Sequence, residues 1–229
     1  MKIVSLLASP RGEKGNTGRL LEIVLEGARR KGAAVETVVL PGGTVLPCRA
    51  CDTCHRKGFC PQKDGFEGIK ARITAADGVV LASPNYIFSV SAQMKAFMDR
   101  CCGAIHCMAF EGKYGASVVT SGGGDEEPVA GYMNHFLMTT GIRPVGSVWA
   151  TMGEIGGEDF PEAIKSRALG LGERLVEWWE KGTTTPEVER TIERFRERIS
   201  RLILYRGDEW QYEREYWEKN RGLRTKPAT

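Results

Sequence analysis

The chain has 229 residues, 41% of them hydrophobic and 27% charged, with a formal net charge of +3. That is material for one globular domain with a modest extension, and so small a charge, with no block of five basic residues, excludes nucleic acid and an anionic membrane as expected partners. Seven cysteines, and an amino-terminal apolar run cut short by Ser9-Pro10-Arg11-Gly12-Glu13-Lys14, read as a cytoplasmic protein whose thiols serve metals or catalysis rather than disulfides.

Lys2 to Ser9 is apolar, and Leu20, Leu21, Val24, Leu25 and Ala28 repeat behind it at helical spacing, so the chain opens as strand, loop, helix. The loop carries Ser9, Arg11, Asn16 and Thr17. Free backbone N–H groups at a helix start attract an anion, and hydroxyls with a guanidinium add donors, which suits a phosphate. The plainer reading has Asn16 or Thr17 only capping the helix. Neither G-x-G-x-x-G nor G-x-x-x-x-G-K-[ST] is present, which argues against a dinucleotide or a nucleoside triphosphate. Val35 to Leu40 predicts a second strand, closed by Pro41-Gly42-Gly43.

Cys48, Cys51, Cys54 and Cys60 follow in one short run. Soft thiolates at this density select iron-sulfur clusters, zinc or copper(I), and C-x2-C-x2-C runs recur in cluster proteins. Structural zinc usually takes two distant pairs, a division absent here, so the spacing favours a cluster over zinc, with a disulfide or inert thiols as the remaining readings. His55, inside the run, reads as a solvated loop histidine, with a donor to a cluster sulfur or a substitute ligand as the alternative.

Asp64 to Ala76 predicts a helix with Phe66, Ile69 and Ile73 on one face, and Gly78 to Ser83 a strand buried on both faces. The loop Pro84-Asn85-Tyr86-Ile87-Phe88-Ser89 is richer in rings and amides than a plain turn requires. A helix over Ser91–Cys102 leads into a second thiol-rich patch, Cys101, Cys102 and Cys107 with His106, read as packing, with a reactive or ligand role as the alternative. Tyr114–Ser121 is a strand opening into Gly122-Gly123-Gly124-Asp125. Glu126–Thr140 is a helix, Arg143–Thr151 a strand and Phe160–Trp179 a helix. Five alternations of strand and helix predict a parallel sheet covered on both faces, with ligands outside the carboxyl ends of its strands. The loops after strands one, three and four all belong to that edge.

Ser9-Pro10-Arg11 with Gly15-Asn16-Thr17, then Ser83-Pro84-Asn85-Tyr86 and Met94-Lys95-Ala96-Phe97-Met98-Asp99-Arg100, resembles the flavodoxin-like NAD(P)H-dependent FMN reductases. With the four cysteines added, the chain is similar to the iron-sulfur flavoprotein branch of that family. The resemblance implies an α/β, flavodoxin-like, doubly wound five-stranded parallel sheet over residues 1–181, a cysteine-rich insertion at 47–61 and a helical extension at 182–229. It implies one FMN and one [4Fe-4S] cluster per chain, a homodimer or homotetramer, ferredoxin or NAD(P)H as electron donor, and oxygen, peroxide or a quinone as acceptor. By motif position Ser9, Arg11, Asn16 and Thr17 would hold the FMN phosphate, with Gly18 standing where a hydroxyl residue is common in the family. Pro84, Asn85 and Tyr86 would border the isoalloxazine ring, with Ser121, Gly122 and Gly123 on its other side. Cys48, Cys51, Cys54 and Cys60 would hold the cluster, and no acid-base side chain need be catalytic. Two alternatives stand beside this: an FMN-dependent NAD(P)H:quinone or flavin reductase without a cluster, and a flavodoxin-like binding module with a structural zinc knuckle.

After Gly182, Pro186 fits the first position of a new helix on which Ile192, Phe195, Ile199, Leu202 and Ile203 form one face. Trp210, Tyr212, Tyr216 and Trp217 then form an aromatic strip, expected to cover the chain's own domain, a neighbouring subunit or the flavin.

Overall fold

A computed structural model describes residues 1–155 and 159–223. In chain order the elements are β1 (Lys2–Leu7), α1 (Asn16–Arg30), β2 (Ala34–Val39), α2 (Thr53–Lys57), α3 (Phe66–Ala75), β3 (Gly78–Tyr86), β4 (Ser89–Val90), α4 (Ala92–Arg100), α5 (Cys102–His106), β5 (Tyr114–Ser121), α6 (Glu126–Thr139), β6 (Arg143–Thr151), α7 (Glu162–Lys181), α8 (Pro186–Arg206) and α9 (Gln211–Arg221). Five strands run parallel in the order β2-β1-β3-β5-β6. This is the flavodoxin-like order, with its switch point between β1 and β3.

One strand was not foreseen. β3 runs on past its apolar stretch to Tyr86, and β4 folds back antiparallel on it, pairing Asn85 with Val90 and Tyr86 with Ser89. The turn between them is Ile87-Phe88, both at positive φ (48° and 60°), as a two-residue hairpin demands. Neither residue is a turn former, so nothing in the composition announced it.

The two sheet faces bury separate apolar layers. Phe66, Ile69 and Ile73 of α3, Met94 and Phe97 of α4, and Val129 and Met133 of α6 cover one face. Leu20, Val24 and Leu25 of α1 with Ala168, Leu171 and Leu175 of α7 cover the other. α1 and α7 meet so closely that a Cβ at Gly172 would lie 1.9 Å from the Val24 carbonyl oxygen, which only glycine avoids.

The extension folds back on its own chain. Thr185 accepts the Val188 amide at 3.3 Å, Pro186 opens α8, and Ile192, Phe195, Ile199 and Ile203 close with Trp217 of α9 over Met108. Residues 224–229 of the extension lie outside the described residues. Among those described, no helix is long and apolar enough to cross a membrane.

Candidate functional site

A cleft of about 250 Å³ opens at the carboxyl ends of β1, β3 and β5. Of the residues expected there, Ser9, Arg11, Asn16, Thr17, Pro84, Asn85, Tyr86, Ser121 and Gly122 line it, joined by Gly15, Thr120 and Met152. Sheet order makes the meeting: β3 lies between β1 and β5, so their three loops share one rim. Larger hollows exist, one of about 440 Å³ beside Glu13, Arg19 and Phe160, but it lies against the flank of α1 rather than at the strand ends.

The cleft's polar groups are arranged for a ligand. α1 begins with Gly15 extended before it and no side-chain cap, so Asn16 and Thr17 do not serve the plain capping role. The first amides of α1 are left to an anion. Thr17 Oγ1 lies 2.7 Å from Thr120 Oγ1, and Asn16 Nδ2 lies 2.7 Å from the Met152 sulfur. Asn85 Nδ2 donates to the Gly124 carbonyl at 2.8 Å, while its Oδ1 is buried without a partner. Ser121 Oγ accepts the amides of Gly123 (3.2 Å) and Gly124 (2.9 Å) and donates to Glu126. Burial pushes the Glu126 carboxyl up, but Ser121, Thr151 and the amides of Glu126 and Gly124 outweigh it and hold the carboxyl below its ordinary range. An ionised carboxylate thus pins the glycine turn.

Two expected residues stand apart. Gly123 turns its amide to Ser121 instead of the cleft. Gly18 is buried beneath the preceding turn, where a Cβ would meet the Glu13 Cα at 2.5 Å. Any side chain at position 18, a hydroxyl one included, would strike the preceding turn.

The cysteine run lies between β2 and α3, with Cys48 and Cys51 exposed, Cys54 and Cys60 half-buried, and all four thiols free. Ala50 and Asp52, neither glycine nor asparagine, take left-handed φ of 48° and 55°, strain that persists where surroundings or a ligand hold it. The Ala50 amide donates to the Cys48 sulfur at 3.4 Å and Arg100 Nε to the Cys60 sulfur at 3.2 Å. Arg100, fully buried, also grips Asp64 Oδ2 at 2.7 Å and the Leu46 carbonyl at 2.8 Å, tying both ends of the run together. Burial pushes the Asp64 carboxyl up, yet Arg100 and the amides of Leu46 and Phe66 prevail and hold it low. The ligand atoms of His55, Cys102 and His106 lie within 4.8 Å of one another.

The model of the NADPH-dependent FMN reductase family matches residues 1–156. An iron-sulfur flavoprotein of Archaeoglobus fulgidus is 35% identical over 96% of this chain and 98% of its own length, and one of Methanocaldococcus jannaschii is 33% identical over 60% of this chain and 72% of its own. The chain belongs to this family. It falls in the iron-sulfur flavoprotein branch, and membership makes it an FMN-dependent oxidoreductase. The fold agrees with a flavodoxin-type WrbA-like protein of Agrobacterium tumefaciens (TM-score 0.56, 19% identity, 80% of this chain and 99% of that one) and an archaeal flavodoxin (TM-score 0.51, 15% identity, 79% and 99%). Similarity to the Archaeoglobus relative runs into the helical extension, beyond the stretch that the motifs cover.

Within this family member the extension serves the cysteine side. Tyr212 and Tyr216 border a hollow of about 400 Å³ with Cys54, Cys60, Lys70 and Arg100, so the aromatic strip does not shield the cleft of its own chain. His55 is not solvated: it is 5% exposed, in a three-ring cluster with Trp210 and His106 whose centroids lie 4.5 and 4.8 Å from its own and 5.0 Å from each other. Nothing near His55 in sequence could disclose this, since its covering residues come from α5 and α9. Cys101 and Cys107 are buried packing residues, as expected, and burial pushes both thiols well up. Cys102 differs. Burial pushes it up too, but His106 and His55 outweigh that and bring it down to about 7.

Proposed function

We propose that the cleft holds FMN, that Cys48, Cys51, Cys54 and Cys60 hold a [4Fe-4S] cluster, and that the protein moves electrons between a donor, the cluster and the flavin. The observation that carries the first half is the unpartnered Oδ1 of Asn85, a residue lining a cleft that also holds an uncapped helix start. An oxygen buried without a donor costs roughly 1–3 kcal/mol, which a ligand N–H would recover. Arg11 and Ser9 supply charge and hydroxyl to a phosphate beside the α1 amides. If Thr120 donates to Thr17, the Thr17 hydroxyl hydrogen is free for the same phosphate. Pro84, Asn85 and Tyr86 on one wall and Ser121 and Gly122 on the other suit a flat ring, with Gly123 behind them closing the turn. Bound there, FMN supplies two-electron and one-electron chemistry, and a cluster supplies one-electron steps.

The spacing of the run favours a cluster over zinc, since structural zinc usually takes two distant pairs of ligands. The Ala50 amide on the Cys48 sulfur is a hydrogen bond of the kind that tunes a thiolate cluster. NAD(P)H or ferredoxin is the donor in this reading, and oxygen, peroxide or a quinone the acceptor. The protein works in the cytoplasm as a homodimer or homotetramer, with residues 1–181 as the flavin domain and 182–229 as its extension. Protein purified without oxygen should contain about one flavin and about four irons with matching sulfide per chain. Flavin without iron would move the assignment to a plain FMN-dependent reductase, and a colourless preparation would overturn the proposal.

A further inference from the structure

We propose that His55, Cys102 and His106 form a second metal site, for a divalent ion of zinc type, adjoining the four-cysteine run, whose Cys54 thiol also meets the His55 ring. The three come from distant segments. Cys102 and His106 stand four residues apart on α5 and so share its face, while His55 arrives on α2. Their ligand atoms lie within 4.8 Å of one another, with His106 Nε2 at 3.8 Å from the Cys102 sulfur. A tetrahedral ion with bonds of about 2.05 Å to nitrogen and about 2.3 Å to sulfur would set that pair about 3.6 Å apart, a small closure.

The carboxylate behind them makes this a built site. Glu213, fully buried on α9, receives His55 Nδ1 on Oε1 at 2.6 Å and His106 Nδ1 on Oε2 at 3.0 Å. With both Nδ1 hydrogens committed to Glu213, both Nε2 atoms face the Cys102 side. Burial pushes both imidazoles down, but Cys102 and Glu213 outweigh it and hold them above their ordinary pKa, so an ion that binds must displace the Nε2 protons. Metal-binding histidines almost always donate their second nitrogen in this way, and the carboxylate fixes tautomer and ring direction. Trp210 stacked on His55, and the Trp217 indole donating to the His106 carbonyl at 2.8 Å, hold the rings in place. Two imidazoles and one thiolate suit zinc or a neighbouring transition ion and leave a fourth position. Water can take it, or the Asp52 carboxylate, whose Oδ1 lies 3.9 Å from His55 Nε2. A structural consequence follows: an ion here would lock α9 onto α2 and α5, the elements that flank the cysteine run.

The site does not depend on the cluster reading, and zinc K-edge absorption separates the two. The full chain, purified without oxygen and with its iron and flavin in place, is freed of loosely held ions and titrated with Zn²⁺ alone. The expected result is about one zinc per chain in a shell of two imidazoles, one sulfur and one light atom. Cys102→Ser should remove the sulfur from that shell. Glu213→Gln, which keeps all three ligand atoms, should weaken binding roughly 10- to 100-fold. Should Cys102→Ser fail to fold, the Glu213→Gln titration decides alone. No stoichiometric zinc, or zinc binding indifferent to both variants, overturns the site. Zinc in a four-sulfur shell overturns it as well, and in that case also removes the cluster from the cysteine run.

Discussion

The cleft and the cysteine region are built by opposite means. Three strand ends form the cleft, around residues 9–17, 84–86 and 120–122, and the backbone order of the sheet brings them together. The cysteine region joins residues 48–60, 100–107 and 210–217, which no strand aligns; buried charged side chains do the joining, Arg100 to Asp64 and Glu213 to two histidines. A site aligned by backbone should survive the loss of one side chain, whereas a site joined by buried charge should not.

The largest effect should come from the cysteines themselves. Replacing Cys48, Cys51 or Cys60 by alanine removes one of four proposed cluster ligands, and iron should fall from about four per chain toward zero. Flavin content should stay near one per chain, because none of the three lines the cleft. Iron and flavin assays on the same sample read both. Parallel loss of flavin would show that the two regions are one cooperative unit and that the contrast is false.

Asp64→Asn comes next. It leaves Arg100 charged in a fully buried position, and breaking such a pair typically costs roughly 3–5 kcal/mol. Urea unfolding should show that loss at neutral pH. Acid sharpens the test. The folded Asp64 carboxyl is held below its unfolded value, so its contribution is complete above the unfolded pKa of about 3.9 and is lost as pH falls through the lower folded value. The gap between wild type and Asp64→Asn should therefore narrow below about pH 4; a gap independent of acid would mean that the ion pair is not what the substitution removes.

The same contrast decides what could be read in advance. The five parallel strands and the cleft were legible because each rests on local signals: the apolar run of β3, the donors after β1, the glycines after β5. Gly15, Thr120 and Met152 escaped because a glycine before a helix, a strand threonine and a loop methionine carry no signal until the sheet is assembled. The second thiol patch was visible as a cluster of residue types, but not which member mattered. Cys101, Cys102 and Cys107 read alike; helical phase turns the first and last into the core and Cys102 toward His55. Glu213 was one acid among many in a charged tail, and its burial against two histidines depends on α9 folding back over a separation of more than a hundred residues.

Gly18→Ser tests the backbone side of the comparison with a smaller effect. Any Cβ there strikes the Glu13 backbone, so the variant should lose about 1–3 kcal/mol and bind FMN more weakly through displacement of the 9–17 turn. Gly18→Ala should do the same. Tighter FMN binding by the serine variant, read by flavin fluorescence quenching, would show instead that position 18 reaches the phosphate.

Glu111→Gln should give the smallest change and the most local one. Glu111 sits in the turn after α5 and accepts Arg196 of α8 on one oxygen and Arg221 of α9 on the other. Its side chain is 36% exposed, so water and salt screen both pairs, and the expected loss is about 1 kcal/mol or less, shrinking further in 1 M salt. Global unfolding will barely register it. Amide exchange should, because Arg221 also donates to the carbonyls of Cys107 and Met108, so loosening its carboxylate partner frees the end of α9 first. Faster exchange confined to α9, with the amides around the cleft unchanged, would mean that the two regions open independently. Faster exchange at Gly123 and Gly124 as well would mean that the helical extension steadies the flavin turn from the far side of the sheet, and the division into a backbone-built site and a charge-built site would have to be given up.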